Sequence, residues 1–185
     1  KNINEVKREF QKEEWNRLLN KILKSNKKLD IEQVDKIYNH YDKKIIFYKQ
    51  EKMYLDTTKN VQNQYIRIYL KTILKYLNKS KINKIVELGS GYGSKIINLS
   101  LILNSLNFNN RYYAGELSEK GRAISKIISS NSNNKLKTFE FSYFSKKKYK
   151  QIPINSVLFT SYSMPYMKKL DKRFFNYLKI RKPKI

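Results

Sequence analysis

The residues best suited to chemistry are a carboxylate and three glycines that follow it at alternate positions. Residues 84–94 read Lys-Ile-Val-Glu-Leu-Gly-Ser-Gly-Tyr-Gly-Ser, so Glu87 stands at the end of an apolar, β-branched run. Such a run favours a strand, and glycines let backbone amides approach a ligand closely. Apolar residues at helical spacing follow from Ser94, which places a positive helix N-terminus at the same point. The pattern predicts a strand, a turn and a helix, with the turn either binding a ligand or only reversing the chain.

The spacing of the glycines excludes one class of nucleotide-binding loop and disfavours another. A phosphate-binding P-loop needs a second glycine where Ser94 stands and a serine or threonine where Ile96 stands. The dinucleotide fingerprint needs a glycine or alanine at position 94, and it does not require an acid before the glycines. Neither pattern accounts for Glu87.

A second acid ends the next predicted strand. Residues 111–118 read Arg-Tyr-Tyr-Ala-Gly-Glu-Leu-Ser, a short apolar strand that ends in Glu116 and precedes a helix capped by Ser118. Two acids that each end a strand are less readily explained as surface charge than one acid alone.

The glycine motif and the second acid together resemble the class I, Rossmann-like S-adenosylmethionine-dependent methyltransferases. The resemblance covers residues 83–180. It implies S-adenosyl-L-methionine as cofactor, with Glu87 near the cationic methionine end and Glu116 accepting from the ribose hydroxyls. The implied cofactor contacts are Glu87, Gly89, Ser90, Gly91, Gly93, Glu116, Leu117, Ser142 and Ser161.

The part of the predicted cofactor site that would bind adenine departs from the family pattern. Similar methyltransferases carry an acid after the third strand, where this sequence has Ser142 or Ser145. A serine hydroxyl accepts the same hydrogen bond more weakly, and Tyr143 or Phe144 could flank the ring.

The segment after the fourth strand faces the substrate in this family. Residues 163–166, Ser-Met-Pro-Tyr, partly resemble the motif of amino-group methyltransferases, but Met164 replaces its first proline. The alternative is that Pro165 only ends the strand. No catalytic residue is identified, because an activated methyl group needs alignment more than side-chain chemistry. We interpret His40 as a surface or packing residue, with a general-base role only if the helical region folds over the active site, and expect no metal site.

The spacing of apolar residues divides the chain into two regions. Residues 1–80 predict a helical N-terminal cap region, with stripes that include Val6, Trp15 and Ile22, then Val34, Tyr38, Tyr41, Ile45 and Tyr48. Residues 81–185 predict the cofactor-binding half of a Rossmann-like α/β domain with a parallel sheet in the order 3-2-1-4. The predicted strands are 84–88, 111–117, 136–143 and 156–161, and the predicted helices are 94–106, 118–130 and 167–180.

The resemblance also implies strands beyond the fourth, because a complete sheet of this family has seven. We therefore expect a C-terminally truncated chain, which continues past Ile185 in the natural protein and is inactive as the isolated 185-residue part.

The formal charge of +25 raises the question of a polyanionic partner. Lysines occur in nearly every segment, so a solvated face is the simpler reading, although residues 146–150 and 168–173 form basic clusters. We expect a cytoplasmic methyltransferase without a membrane span, acting on a small molecule or sugar hydroxyl. The alternatives are an RNA methyltransferase and a non-catalytic nucleic-acid-binding protein. The acceptor atom and the oligomeric state do not follow from the sequence.

Overall fold

The computed structural model describes residues 5, 13–39, 43–49, 51–78, 82–132, 134–161, 163–164 and 172–181. The helices of these residues are α1 (Trp15–Lys24), α2 (Ile31–Asn39), α3 (Thr58–Leu77), α4 (Ser94–Ser105), α5 (Glu119–Asn131), α6 (Lys146–Tyr149) and α7 (Lys172–Arg181). The strands are β1 (Lys44–Lys49), β2 (Lys52–Thr57), β3 (Lys84–Leu88), β4 (Arg111–Glu116), β5 (Leu136–Glu140) and β6 (Val157–Thr160).

Strands β3 to β6 form a parallel sheet in the order β5-β4-β3-β6. The register pairs Leu88 at the end of β3 with Gly115 of β4 and with Thr160 of β6. The predicted order 3-2-1-4 is therefore confirmed, and the fold is a Rossmann-like α/β arrangement. Strand order reverses beside β3, so the carboxyl ends of β3 and β4 open onto the crevice in which such sheets bind ligands.

Apolar side chains on the two faces of β3 belong to two different apolar layers. Ile85 joins a core built from α1 to α5, whereas Val86 and Leu88 join a second core with Phe174 of α7. Successive side chains of a strand point to opposite faces, so Glu87 lies on the face of Ile85. Side chains from both predicted regions share the first core, and the boundary near residue 80 stays a prediction.

Several helix starts follow local sequence signals. Gln33 N donates to Asp30 Oδ1 at 2.8 Å and Asp30 N donates to Gln33 Oε1 at 3.0 Å, and these reciprocal bonds form a capping box before α2. Thr57 caps α3 and Ser118 caps α5 through their hydroxyl oxygens. These caps satisfy backbone amides that the first helical turn leaves unpaired.

The expectation that the first 80 residues contain only helices is wrong. Strands β1 and β2 form an antiparallel hairpin in which Ile46 pairs with Leu55, and Glu51 adopts a φ of 63° at the turn. The helical interpretation used Ile45 and Tyr48, which instead belong to a β-branched and aromatic run that suits a strand. Tyr41 lies outside the described residues, as do Val6 and His40.

The third strand of the parallel sheet is shorter than predicted. It ends at Glu140, because Ser142 forms a turn in which its hydroxyl accepts from Phe144 N at 3.2 Å and its carbonyl accepts from Ser145 N at 3.2 Å. The basic cluster 146–150 then contains α6, which the sequence did not predict. The predicted start of the last helix, at 167, lies outside the described residues. Within the described ranges, no helix has the length and apolar character needed to cross a bilayer.

Candidate functional site

The glycine-rich loop joins β3 to α4 in a conformation that glycine alone adopts readily. Gly89, Gly91 and Gly93 have φ angles of 69°, 58° and 83°. Gly89 N donates to Gly115 O at 2.7 Å and Gly93 N donates to Ser90 O at 2.8 Å, so the loop is tied to β4 and to itself. A side chain at any of these glycines would add strain, because L-residues rarely adopt positive φ.

Glu87 of β3 is a buried acid whose carboxyl group lies against the first turn of α4. Its side chain is 2% exposed, and Oε2 accepts from Ile96 N at 3.1 Å. Burial raises the pKa of Glu87 to about 8, against the lowering effects of Lys95 and of the Ile96 amide. The free protein at neutral pH therefore holds this carboxyl largely protonated.

Glu116 occupies the equivalent position at the end of β4. Its Oε2 accepts from Gly91 N at 2.8 Å and its Oε1 accepts from Ser118 N at 2.8 Å. Burial raises the pKa of Glu116 to about 7, although both amides favour the charged form. Each carboxyl oxygen has a second lone pair, so Glu116 can accept further hydrogen bonds.

The two acids line one cavity of about 250 Å³. Every residue predicted to contact the cofactor lines this cavity except Gly93, namely Glu87, Gly89, Ser90, Gly91, Glu116, Leu117, Ser142 and Ser161. Gly93 instead caps α4, where an added Cβ would lie 2.9 Å from Ser125 Oγ. The cofactor role of all nine residues stays a prediction, but the structure gathers eight of them at one place.

The cavity contains a polar atom that the described part of the protein leaves without a hydrogen bond. The Ser90 hydroxyl is buried and has no partner among the described residues. Buried hydroxyls are normally paired, so an unpaired one that lines a cavity is suited to a ligand. Three aromatic residues, Phe141, Tyr143 and Phe144, also line the cavity.

A hydroxyl cluster supports the cavity where β3 and β6 end. Tyr143 Oη lies 2.8 Å from Thr160 Oγ1, 2.8 Å from Ser163 Oγ and 3.1 Å from Leu88 O. Burial raises the pKa of Tyr143 to about 12, so its phenol remains protonated. Because its hydroxyl is bonded here, Tyr143 is fixed as a wall of the cavity. Of the partial amino-methylating motif, Ser163 and Met164 are described, while the proline and tyrosine that follow lie outside the described residues.

Sequence reasoning predicted a helical cap region but did not identify which of its residues line the cavity. Trp15, Tyr38 and Asn39 line the cavity, and a Cβ on Gly91 would lie 2.9 Å from Trp15 Cζ2. The buried Asp35 on α2 accepts from Tyr92 Oη at 2.6 Å. The available signal was an acid on an apolar helix face, since positions 31, 34, 35 and 38 share one side of α2.

A metal site has no support in the described residues, which contain no group of three or more histidine or acidic side chains able to hold an ion. The cavity itself is lined by two carboxyl groups, the glycine-rich loop, side-chain hydroxyl groups and Lys95.

Comparison with known proteins adds little to this geometry. No protein-family model matches the chain, and no curated protein matches it. One similar solved structure is a putative protein-L-isoaspartate O-methyltransferase, also described as a beta-aspartate methyltransferase, from Plasmodium falciparum in complex with S-adenosyl-L-homocysteine. The two chains are 11% identical, with a TM-score of 0.40 over 78% of this chain and 71% of that one. A likeness this distant carries no evidence about the function of this chain.

Proposed function

We propose that the protein is an S-adenosylmethionine-dependent methyltransferase. The observation that carries the proposal is the pair Glu87 and Glu116, two buried acids that end adjacent strands and line one cavity with a glycine-rich loop. Burying carboxyl groups is costly unless something binds them. A ligand with a cationic group and vicinal hydroxyls is suited to both.

The chain's own residues fit this cofactor. Glu116 is placed to accept from ribose hydroxyls through its remaining lone pairs. Glu87 would offer a carboxylate to the methionine ammonium group, whose positive charge favours the ionised form of this otherwise protonated acid. Lys95 brings a positive charge to the same cavity, where it suits the methionine carboxylate. Ser90 offers a hydroxyl that has no partner among the described residues.

The adenine end would lie between Leu117 and the turn after β5. Ser142 lines this part of the cavity, and Phe144 provides an aromatic face that is 44% exposed. Stacking on such a face suits a planar base. The weaker polar partner at position 142 predicts modest discrimination between adenine and other bases.

When bound, the cofactor supplies a methyl group already activated by a sulfonium. The protein's task is then to exclude water and orient the acceptor. Trp15 and Tyr38 line the cavity. An aromatic wall of this kind suits a small acceptor, so we propose a small molecule or a sugar hydroxyl as substrate. We also propose the cytoplasm as the place of action, because the proposed cofactor is a cytoplasmic metabolite.

Calorimetric titration with S-adenosylhomocysteine tests the proposal. We expect the wild-type chain to bind, and we expect Glu116→Gln and Glu116→Ala to weaken binding by about 1.5–3 kcal/mol, the range for hydrogen bonds to charged groups. Glu119→Gln is the matched control, because it removes the same charge from an exposed position three residues later. A wild-type chain that binds NAD but not S-adenosylhomocysteine would refute the proposal.

The charge of +25 favours one second candidate, an RNA methyltransferase or a non-catalytic nucleic-acid-binding protein. Its test is the dependence of RNA affinity on salt. A steep linear fall of log K with log salt concentration would indicate several phosphate contacts. A shallow slope with weak, sequence-independent binding would remove this candidate.

A further inference from the structure

Asp35 is a buried acid that joins the N-terminal helices to the glycine-rich loop. Its side chain is 1% exposed on α2. Oδ1 accepts from Tyr92 Oη at 2.6 Å, and Oδ2 accepts from Ser94 Oγ at 2.8 Å and from Asn98 Nδ2 at 3.3 Å. These partners lie 57 to 63 positions away in the sequence, so the carboxylate connects two distant parts of the chain.

All three donors belong to the loop or to the first turns of α4. Tyr92 stands between Gly91 and Gly93, and Ser94 is the first residue of the helix. The positive end of the helix dipole favours a carboxylate at this point. Burial, and then the charge of Asp35, raise the pKa of Tyr92 well above its ordinary value, so its hydroxyl remains a donor.

The same helices reach the loop by packing as well. The rings of Trp15 and Tyr92 lie 5.4 Å apart between centroids, and those of Tyr38 and Tyr92 lie 5.2 Å apart. Asn39 Nδ2 donates to Tyr92 Oη at 3.0 Å. Tyr92 is therefore held by α2 through two hydrogen bonds, while Trp15 of α1 covers the glycine before it.

A buried, hydrogen-bonded carboxylate adds little to the stability of a core, because apolar residues of similar volume often stabilise the fold as well or better. What three directional bonds add is a defined position for the groups that make them. Here those groups lie in the segment that presents Gly91 N to Glu116 and the Ser90 hydroxyl to the cavity.

We infer that Asp35 is a positioning residue of the cavity: it clamps Tyr92 and the start of α4, and so makes residues 15–39 a wall of the binding site. The identity of the ligand rests on the proposed function, whereas the clamp itself does not. Removing the carboxylate releases this wall from the loop without touching Glu87 or Glu116.

The single tryptophan of the chain, Trp15, reports on the clamp directly. The experiment compares acrylamide quenching of Trp15 and calorimetric binding of S-adenosylhomocysteine in wild type and Asp35→Asn. We expect several-fold stronger quenching in the variant and roughly tenfold weaker binding, the size typical when a hydrogen-bonded support of a binding group is removed. Glu32→Gln is the matched control. Glu32 is an exposed acid on the same helix, and its carboxylate accepts a hydrogen bond from Lys59.

Each outcome bears on the clamp. A cooperatively folded Asp35→Asn chain with wild-type quenching and wild-type affinity overturns the inference. If Asp35→Asn does not fold, Tyr92→Phe replaces it, because this variant keeps the ring and removes only the donor; unchanged Trp15 quenching there also overturns the inference.

The double variant separates positioning from general stability. If Asp35 acts through Tyr92, Asp35→Asn with Tyr92→Phe binds about as weakly as Asp35→Asn alone, whereas independent effects add. If wild type shows no affinity for S-adenosylhomocysteine, the proposed function fails, and the quenching experiment still decides whether the clamp exists.

Discussion

Replacing Glu87 by Gln should stabilise the free protein at alkaline pH and should do so progressively less as the pH falls. Burial raises the pKa of this carboxyl from its ordinary 4.5 to about 8. Between these values the native state binds a proton that the unfolded state has lost, so wild-type stability falls as the pH rises through this window. At about 1.4 kcal/mol per pKa unit, the loss is on the order of 5 kcal/mol.

A glutamine cannot be ionised, and its carbonyl oxygen can still accept from Ile96 N as Glu87 Oε2 does. The advantage of Glu87→Gln over wild type should therefore be small near pH 5 and approach the full amount near pH 8. Because domains are stable by only about 5–15 kcal/mol, an effect of this size is readily measured. The assay is urea unfolding followed by circular dichroism at a series of pH values.

Glu119→Gln serves as control for the change in net charge, since its carboxylate lies on the surface. We expect it to change the pH dependence little. The reasoning is refuted if the difference between Glu87→Gln and wild type stays constant from pH 5 to pH 8, or if Glu87→Gln destabilises at the alkaline end. Glu87→Gln should also bind S-adenosylhomocysteine more weakly than wild type. That result would show that Glu87 destabilises the free protein at alkaline pH but contributes to binding in the complex.

Three further predictions concern the walls of the cavity. Gly91→Ala should destabilise by about 1–3 kcal/mol in thermal unfolding, because the φ of 58° strains alanine and the new Cβ meets Trp15; an unchanged melting temperature would contradict it. Tyr143→Phe should cost about 0.5–1.5 kcal/mol in the same assay, because it removes a hydroxyl bonded to Leu88 O, Thr160 and Ser163 while Ser163 still donates to Leu88 O, and a neutral result would show that the Tyr143 hydroxyl adds nothing to stability. Ser90→Ala should leave stability within about 0.5 kcal/mol of wild type while weakening S-adenosylhomocysteine binding in calorimetry, and the opposite pattern would assign Ser90 to the fold.

The parallel sheet and most of the cavity were predictable because their signals are local. Glu87 and Glu116 each follow a short apolar run, and parallel strands bring their carboxyl ends to one edge of a sheet. The glycine contacts were implied by the resemblance of the motif; in the structure Gly93 caps α4, an added Cβ there would meet Ser125, and its cofactor role stays a prediction.

The N-terminal contribution was not predictable in the same way. The hairpin was missed because Ile45 and Tyr48 also satisfy a helical spacing, and only pairing with β2 decides between the two structures. Asp35 and Trp15 could be assigned to a helix face, but the partner of that face is set by tertiary packing. A single sequence does not show that Asp35 lies against Tyr92.

The sheet order also determines when during folding the cavity can form. Leu88 of the central strand is bonded to Ser163, 75 positions later, and the glycine-rich loop lies between these partners in the sequence. Contacts this distant require closure of a long loop, which slows folding and places them late in the process. During synthesis, β3 and its loop leave the ribosome well before β6 does. We therefore expect the cavity to mature in the last folding step, with nascent chains exposing an apolar β3 edge until β6 has been made.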